Sequence, residues 1–377
     1  MEPTDLARLT SYFETVARAF ACDSAPASLL ITHLLPERPA FVRAVATVTG
    51  LRATLPKPKS INARARDLVE QTAPVDPLTR QMFTDPDKTL AYLETRASRE
   101  PVVLFDIGGY FAPALGDLCD RFSGRILGVI EDTENGHQKY ADLDKLPCPV
   151  ISAARSPLKD PEDFLVGQSV VFSTEALTRG RGDIFHGRGA LVLGFGKLGS
   201  SIARLLHAKG VHVTVYDIDP VRRTQALAQG FTVAQDRTTV IGSAGLVMCA
   251  TGSLALRGDG FPRLRSGAYV ATVTTVTSTE DELDLNRLPP CYVTSEAGEH
   301  VTRYASDSGH VFFLLNDGNA VNFLHGASVG PFIYLVQAEL IAAVRILARG
   351  DLGPGIHEIP DSGRRDIASI WLDHYNR

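Results

Sequence analysis

Between Ala190 and Asp217 the chain reads ALVLGFGKLGSSIARLLHAKGVHVTVYD, the stretch that most narrows what it can fold into. The run ALVL has the length of a buried strand, Gly194-x-Gly196-x-x-Gly199 follows at once, and SSIARLLHAKG carries helical periodicity. A strand turning directly into a helix needs Gly194 for the turn, Gly196 for close approach of a ligand to the backbone, and Gly199 for close packing of helix on strand. The N–H groups of the first helical turn, around Lys197 and Leu198, then form an anion site suited to a pyrophosphate. A second strand, VHVTVYD, ends in Asp217, near the offset of roughly 20 residues expected for a carboxylate that accepts a bond from a ribose 2′-hydroxyl. Strand, turn, helix, strand and acid in register predict an NAD site. Asp217 would repel a 2′-phosphate and so favours NAD over NADP, a preference tempered by the nearby Arg222 and Arg223.

The motif begins near the middle of a 377-residue chain, long enough for two domains of about 100–200 residues each. Ahead of it, an amphipathic helix (DLARLTSYFETVARAF) precedes the strand-like runs ASLLITHL, PVVLFDIGG and RILGVIED, with the helical stretches FVRAVATVTGL and PALGDLCDRF between them. Behind it, GLVMCATG, AYVATVTT and VFFLLND continue the strand series, and PFIYLVQAELIAAVRILA reads as a helix. The expected fold class is α/β, with two Rossmann-like domains. Residues 1–170 would form a substrate-binding domain completed by about 326–350, residues 171–325 an NAD-binding domain with a parallel sheet, and residues 351–377 a short C-terminal tail.

Composition excludes more than it assigns. A hydrophobic share of 44% with 21% charged residues is that of an ordinary globular protein. The net charge of −5, without a block of like charge, gives no support for nucleic-acid or membrane partners. The first residues lack a signal-peptide pattern, and the apolar segment from Ser328 to Ala348 is interrupted by Gln337, Glu339 and Arg345, so it reads as a buried helix. The five cysteines are scattered, without metal-ligand spacing. No metal is expected, and a reduced, cytoplasmic protein is expected by elimination.

A nicotinamide takes hydride from a carbon bearing a hydroxyl, so another group must take the hydroxyl's proton. In SPLKDPEDFLVG, Lys159 and Asp163 stand four apart; on a helix they share a face and could grip a diol, and a lysine beside a hydride acceptor can act as a base. By spacing alone the same pair reads as an exposed salt bridge. The strand ends carry His33, Asp106 and Glu131-Asp132-Thr133, where ligands of open α/β sheets gather, although VIEDTENG taken alone is a polar loop. His33 and His325 stand in apolar surroundings that suit a structural histidine equally well.

In this order, the pieces resemble the S-adenosylhomocysteine hydrolase (adenosylhomocysteinase) family from about Ile31 to the end. VIEDTENG is similar to that family's Glu-Glu-Thr-Thr-Thr-Gly, Lys159 and Asp163 to its catalytic helix, and LGFGKLG with YDIDPVRRTQALAQGF to its glycine loop and the segment after it. NAVNFLHG, IHEIP and DHY resemble its later motifs. The resemblance implies an NAD that oxidises the ribose 3′-hydroxyl of a nucleoside, acidifying H4′ so that the 5′ substituent can leave. It implies that Lys159 and Asp163 hold and deprotonate the 3′-hydroxyl, that Asp132 binds the 2′/3′ edge, and that His33, Glu37 and His325 lie around the base and 5′ position. Thr133 would meet the cofactor on its nicotinamide side, Asp217 its adenosine ribose, Thr251 its adenine side and Asn322 its carboxamide, with Asn135 also at the cofactor. A homodimer or homotetramer is implied as well, with Asp373-His374-Tyr375 reaching a partner subunit.

Several departures fall at the chemistry. Asp106-Ile107-Gly108-Gly109 stands for Asp-Asp-Gly-Gly, leaving Asp106 at the substrate without the second aspartate. Thr272-Val273-Thr274-Thr275 stands for Asn-Ile-Gly-His, which puts Thr275 in the place of a substrate-facing histidine. Gln168 replaces a cysteine, Phe164 an asparagine, Leu35 and Arg38 the threonines flanking Glu37, and Trp371 a tail lysine. Groups for 3′-oxidation are retained, whereas two for elimination and water addition at C5′ are not. The expectation is an NAD-dependent nucleoside-processing enzyme with a 3′-keto intermediate, leading to oxidation, epimerisation or elimination. Hydrolysis of S-adenosylhomocysteine and a non-catalytic NAD-binding regulator are the alternatives.

Overall fold

The computed structural model describes residues 2–273, 283–325 and 329–376. The chain divides into two compact units, Met1–Lys159 with Pro331–Arg377 (unit 1) and Asp160–Gly330 (unit 2).

Unit 1 is built on strands β1 (Ala27–Leu34), β2 (Gly50–Ile61), β3 (Pro101–Asp106), β4 (Arg125–Glu131) and β5 (Pro149–Ser152), with the short strand Gly355–His357 added beside β5. Every pairing is parallel. The order β5-β4-β3-β1-β2 reverses direction between β1 and β3, the point where doubly wound sheets take their ligands at the strands' carboxyl ends. β2 occupies an edge, which is why it tolerates Pro56 and Pro58, residues that cannot donate to a ladder. One face is covered by helices Pro3–Ala19, Arg38–Val48, Ile333–Arg349 and Asp361–Tyr375, the other by Pro86–Ala97 and Leu115–Arg121.

The segment Gly330–Arg349, with a mean hydropathy of 1.6, is long and apolar enough to cross a membrane, but Leu335, Val336, Leu340, Ile341 and Val344 are buried in this core. The segment expected as a separate tail is part of unit 1. It adds a strand to the sheet, and the Trp371 indole donates to the Pro331 carbonyl at 2.8 Å while its ring lies 5.0 Å from Phe332. Tyr375 and His374 pack against Tyr12 of the N-terminal helix, with ring centroids 5.7 and 5.6 Å away. Trp371 thus gives this helix an apolar anchor within unit 1.

Unit 2 contains β6 (Gly189–Leu193), β7 (His212–Tyr216), β8 (Thr232–Val233), β9 (Leu246–Cys249), β10 (Ala268–Thr272), β11 (Tyr292–Glu296), β12 (Val301–Ser306) and β13 (Val311–Leu315). The order is β11-β12-β13-β10-β9-β6-β7-β8. From β8 to β13 all pairs are parallel, the 3-2-1-4-5-6 pattern of dinucleotide-binding sheets. β11 and β12 extend it antiparallel, so the sheet is mixed rather than purely parallel.

The helix Asp160–Gly180 lies wholly in unit 2, not astride a boundary near residue 170. It packs on the helix Lys197–Ala208 so tightly that a Cβ on Gly167 would come 2.6 Å from the Ser201 side chain. Ser201 Oγ donates to the Phe164 carbonyl at 2.5 Å and accepts from Gln168 Nε2 at 3.1 Å. Gly167→Ala is expected to destabilise the protein by about 1–3 kcal/mol through overpacking. Gly180→Ala, where a Cβ meets nothing within 4 Å, serves as the control. Thermal unfolding should show a lowered midpoint for the first variant alone.

Candidate functional site

In unit 2 the site grows from the end of β6. Gly194 has φ +93°, and a Cβ there would come 2.4 Å from the Ala250 carbonyl oxygen. A Cβ on Gly199 would come 2.0 Å from the Gly194 carbonyl oxygen, so only glycine lets the helix start this close to the strand. The helix Lys197–Ala208 begins at Gly196 with no side-chain cap, which leaves its first N–H groups for an anion. Asp217 closes the loop from the other side: its carboxylate accepts from Phe195 N at 2.6 Å and Asp219 N at 2.8 Å. Asn322 is 4% exposed, and its side-chain oxygen is buried without a hydrogen-bond partner, as a residue awaiting a ligand amide would be. These features fit a dinucleotide. Arg222 lies over the loop, its Nη1 2.7 Å from where a Gly196 Cβ would stand. The Thr251 hydroxyl donates to the Ser253 carbonyl within its own turn.

Lys197, expected only at the cofactor, pairs with Asp160 at 2.9 Å and with Asp163 at 3.6 Å. Asp163, 8% exposed, lies in the first turn of the helix Asp160–Gly180, where a carboxylate is favoured by the free N–H groups. Lys159 is not on that helix. It ends the preceding 3-10 turn Pro157–Lys159 as the last residue of its segment of unit 1, because Pro161 suits a helix's first turn rather than its interior. His325 belongs to unit 2, with Nδ1 3.0 Å from Ser173 Oγ and its ring edge-on to Phe172 at 5.5 Å. Thr275 lies outside the described residues.

In unit 1 the site is organised by a residue that sequence reasoning placed at a strand end without giving it a role of its own. Glu131 ends β4 fully buried. Its carboxylate accepts from the backbone N–H of Gly108 (3.0 Å), Gly109 (2.8 Å), Asp132 (3.0 Å) and Thr133 (2.8 Å), and from the Thr133 hydroxyl (2.7 Å). Gly108 and Gly109 have φ +118° and +68°, which turns their N–H groups inward. Burial and the neighbouring Asp106 and Asp132 push the Glu131 pKa up, against the Thr133 bonds; five converging donors fit the ionised form. Asp106, expected at the substrate, is also fully buried. It accepts from Tyr110 N (3.0 Å), Phe111 N (2.9 Å) and the Tyr140 hydroxyl (2.6 Å), and so fixes a loop instead.

Thr133 caps the helix Glu134–Ala141, its hydroxyl accepting from Gly136 N at 2.9 Å. Asn135 is exposed in that helix's first turn. Asp132 is buried beside Glu131 and acts on Lys57, a residue the sequence reading passed over. Burial lowers the Lys57 pKa, while Asp132, Glu131 and Asp106 raise it. Lys139 donates to the Gly108 carbonyl at 2.9 Å. The available signal for Lys57 was the pattern Pro56-Lys57-Pro58, which marks an edge strand carrying a cation to a strand end. His33, near the end of β1, has Nδ1 2.5 Å from Ser60 Oγ. Glu37 precedes the helix Arg38–Val48, its Oε1 3.4 Å from Arg38 Nη2.

Comparison with known proteins bears first on the NAD-binding part of the chain. Residues 167–328 match the family S-adenosyl-L-homocysteine hydrolase, NAD binding domain. S-inosyl-L-homocysteine hydrolase of Methanopyrus kandleri is 24% identical over 288 residues, 73% of this chain and 66% of that one. Adenosylhomocysteinase of Thermotoga maritima is 29% identical over 286 residues, 72% of this chain and 68% of that one. The matched region thus spans about two thirds of the length of these relatives. Among solved structures, phosphoglycerate oxidoreductase from Vibrio cholerae o395 is similar with a TM-score of 0.41 and 13% identity, over 70% of this chain and 79% of that one, a likeness too slight to bear on function.

His33 supplies a pH test of the unit 1 site. Its pKa is well below the ordinary histidine value, first through burial and then through Lys57, Arg38 and Lys159. The unfolded chain therefore binds a proton that the folded chain refuses as pH falls below about 6.5. This contribution is complete at higher pH and is lost on acidification, by up to about 1.4 kcal/mol per pH unit. Urea unfolding between pH 7.5 and 5.5 should show a shallower loss for His33→Gln than for the parent protein.

Proposed function

We propose that this chain is an NAD-dependent enzyme of the S-adenosylhomocysteine hydrolase family acting on a nucleoside, whose ribose 3′-hydroxyl it oxidises to a ketone. NAD held by Gly194, Gly196, Gly199, Asp217 and Asn322 supplies the acceptor for hydride. The observation that carries the reading is Asp163, a buried carboxylate held 3.6 Å from Lys197 of the cofactor's own glycine loop. A buried carboxylate beside the cofactor loop supports a role for Asp163 toward the ribose hydroxyl. In this reading Lys159 takes the 3′-hydroxyl proton, Asp163 accepts the hydrogen bond that orients it, and Asp132 holds the 2′/3′ edge. Loss of the hydroxyl proton and of the C3′ hydride leaves the ketone, and the ketone acidifies H4′.

Hydrolysis of a nucleosidyl-homocysteine thioether is the second reading, favoured by the activities named for the two relatives. The ketone is common to both, and its fate separates them.

Protein loaded with NAD and mixed with nucleosides and with S-adenosylhomocysteine is expected to develop reduced-nicotinamide absorbance. Lys159→Ala should slow that step about 10²–10⁴-fold and leave NAD affinity unchanged. Unaltered reduction in the Lys159→Ala protein would rule out Lys159 as the base. Release of homocysteine with multiple turnovers would establish the hydrolytic reading.

A further inference from the structure

Arg38 is the departure from the family that the proposed reaction does not use. It stands where a threonine is expected beside Glu37 and is 5% exposed. One edge of its guanidinium makes a 3.4 Å contact with Glu37 Oε1. Nε, on the same edge as Nη2, is buried without a hydrogen-bond partner. A guanidinium offers five donors in a fixed fork that matches a phosphate or carboxylate bidentately, and buried donors in native proteins are rarely left unmatched. An unmet donor therefore points to an acceptor from outside the chain.

The surroundings say which kind. Lys57, Arg38 and Lys159 all press their positive charge on His33, near the end of β1 and beside the point where the sheet order reverses. Of the carboxylates facing Lys57, Glu131 and Asp106 are already held by five and three donors of their own loops. Asp132 faces Lys57 as well, and Glu37 contacts Arg38 at Nη2 while Nε stays unmatched.

We propose that unit 1 recognises a nucleoside through an anionic group, with Arg38 as its receptor and Lys57 contributing to the field. This rests on the reading of the protein as a nucleoside enzyme. Oxidation needs a free 3′-hydroxyl, so the anion belongs at the 5′ end of the sugar, as a phosphate or a carboxylate.

The test measures affinity by calorimetry on protein saturated with NAD, so that the nucleotide cannot enter the cofactor site. The probes are adenosine, inosine, guanosine, cytidine and uridine, each with its 5′-monophosphate and 5′-carboxylate. For at least one base an anionic member should bind 10-fold or more tightly than the parent nucleoside, and the member that does so identifies the anion. Arg38→Met should remove that preference and Arg38→Lys should keep part of it. Absence of any preference, or a preference that survives Arg38→Met, overturns the proposal. Should Arg38→Met fail to fold, salt decides on the parent protein. Affinity for the anionic probe should fall with ionic strength while that for the nucleoside holds, and an equal response overturns the proposal. Reduced-nicotinamide absorbance in the same samples reports oxidation separately from binding.

Discussion

Five hydrogen bonds on one buried carboxylate hold the functional end of unit 1 together. Glu131 gathers the N–H groups of the β3 loop, through Gly108 and Gly109, and those of its own loop, through Asp132 and Thr133. Without it, inward-turned donors would be orphaned, at a cost of about 1–3 kcal/mol each. Asp106 makes the reciprocal tie, since the Tyr140 hydroxyl that bonds it comes from the helix after β4. Burial raises the pKa of both carboxylates on these adjacent strands, and Asp106 raises that of Glu131 further. Lys57 and Lys139 lie beside them, so the cations at this end of the sheet complete an electrostatic frame.

Unit 2 solves a different problem with less charge. Its strand-to-helix turn depends on missing side chains, with the Gly194 carbonyl oxygen in the space a Gly199 Cβ would fill. Lys197 then couples this turn to the helix Asp160–Gly180 through Asp160 and Asp163. The pair Gly167 and Ser201 locks the same two helices further along. A displacement of the cofactor loop must therefore be felt at Asp163.

Strands with strong apolar runs were legible: ASLLITHL is β1, and the series from ALVL to VFFLL recurs as β6, β7, β9, β10 and β13. β2 escaped because alternating lysine and proline hide an edge strand, and β11 because its side chains are largely exposed on an outer edge and carry little periodic signal. The strand–turn–helix at Gly194, Gly196 and Gly199 was readable because a glycine turn is a local constraint. Glu131 was not, since its importance lies in donors more than twenty positions away in sequence. Asp106 misled for the same reason: a polar residue at a strand end looks alike whether it faces a ligand or its own loop. Lys159 and Asp163 share no helix face because the helix starts between them, a boundary that i,i+4 spacing cannot reveal.

The choice between NAD and NADP follows from how Asp217 is held. Both of its oxygens accept a backbone N–H, and the side chain is 6% exposed. A free surface aspartate could rotate away from an incoming 2′-phosphate, but this one is pinned at two points and keeps its remaining lone pairs for neutral ribose hydroxyls. Arg222 does not offset it. Its guanidinium is turned over Gly196, with Asp219 3.9 Å from its Nε, which directs its charge to the glycine loop. A 2′-phosphate would thus bring two negative charges against a fixed third. A carboxylate so placed favours NAD even with Arg222 close by.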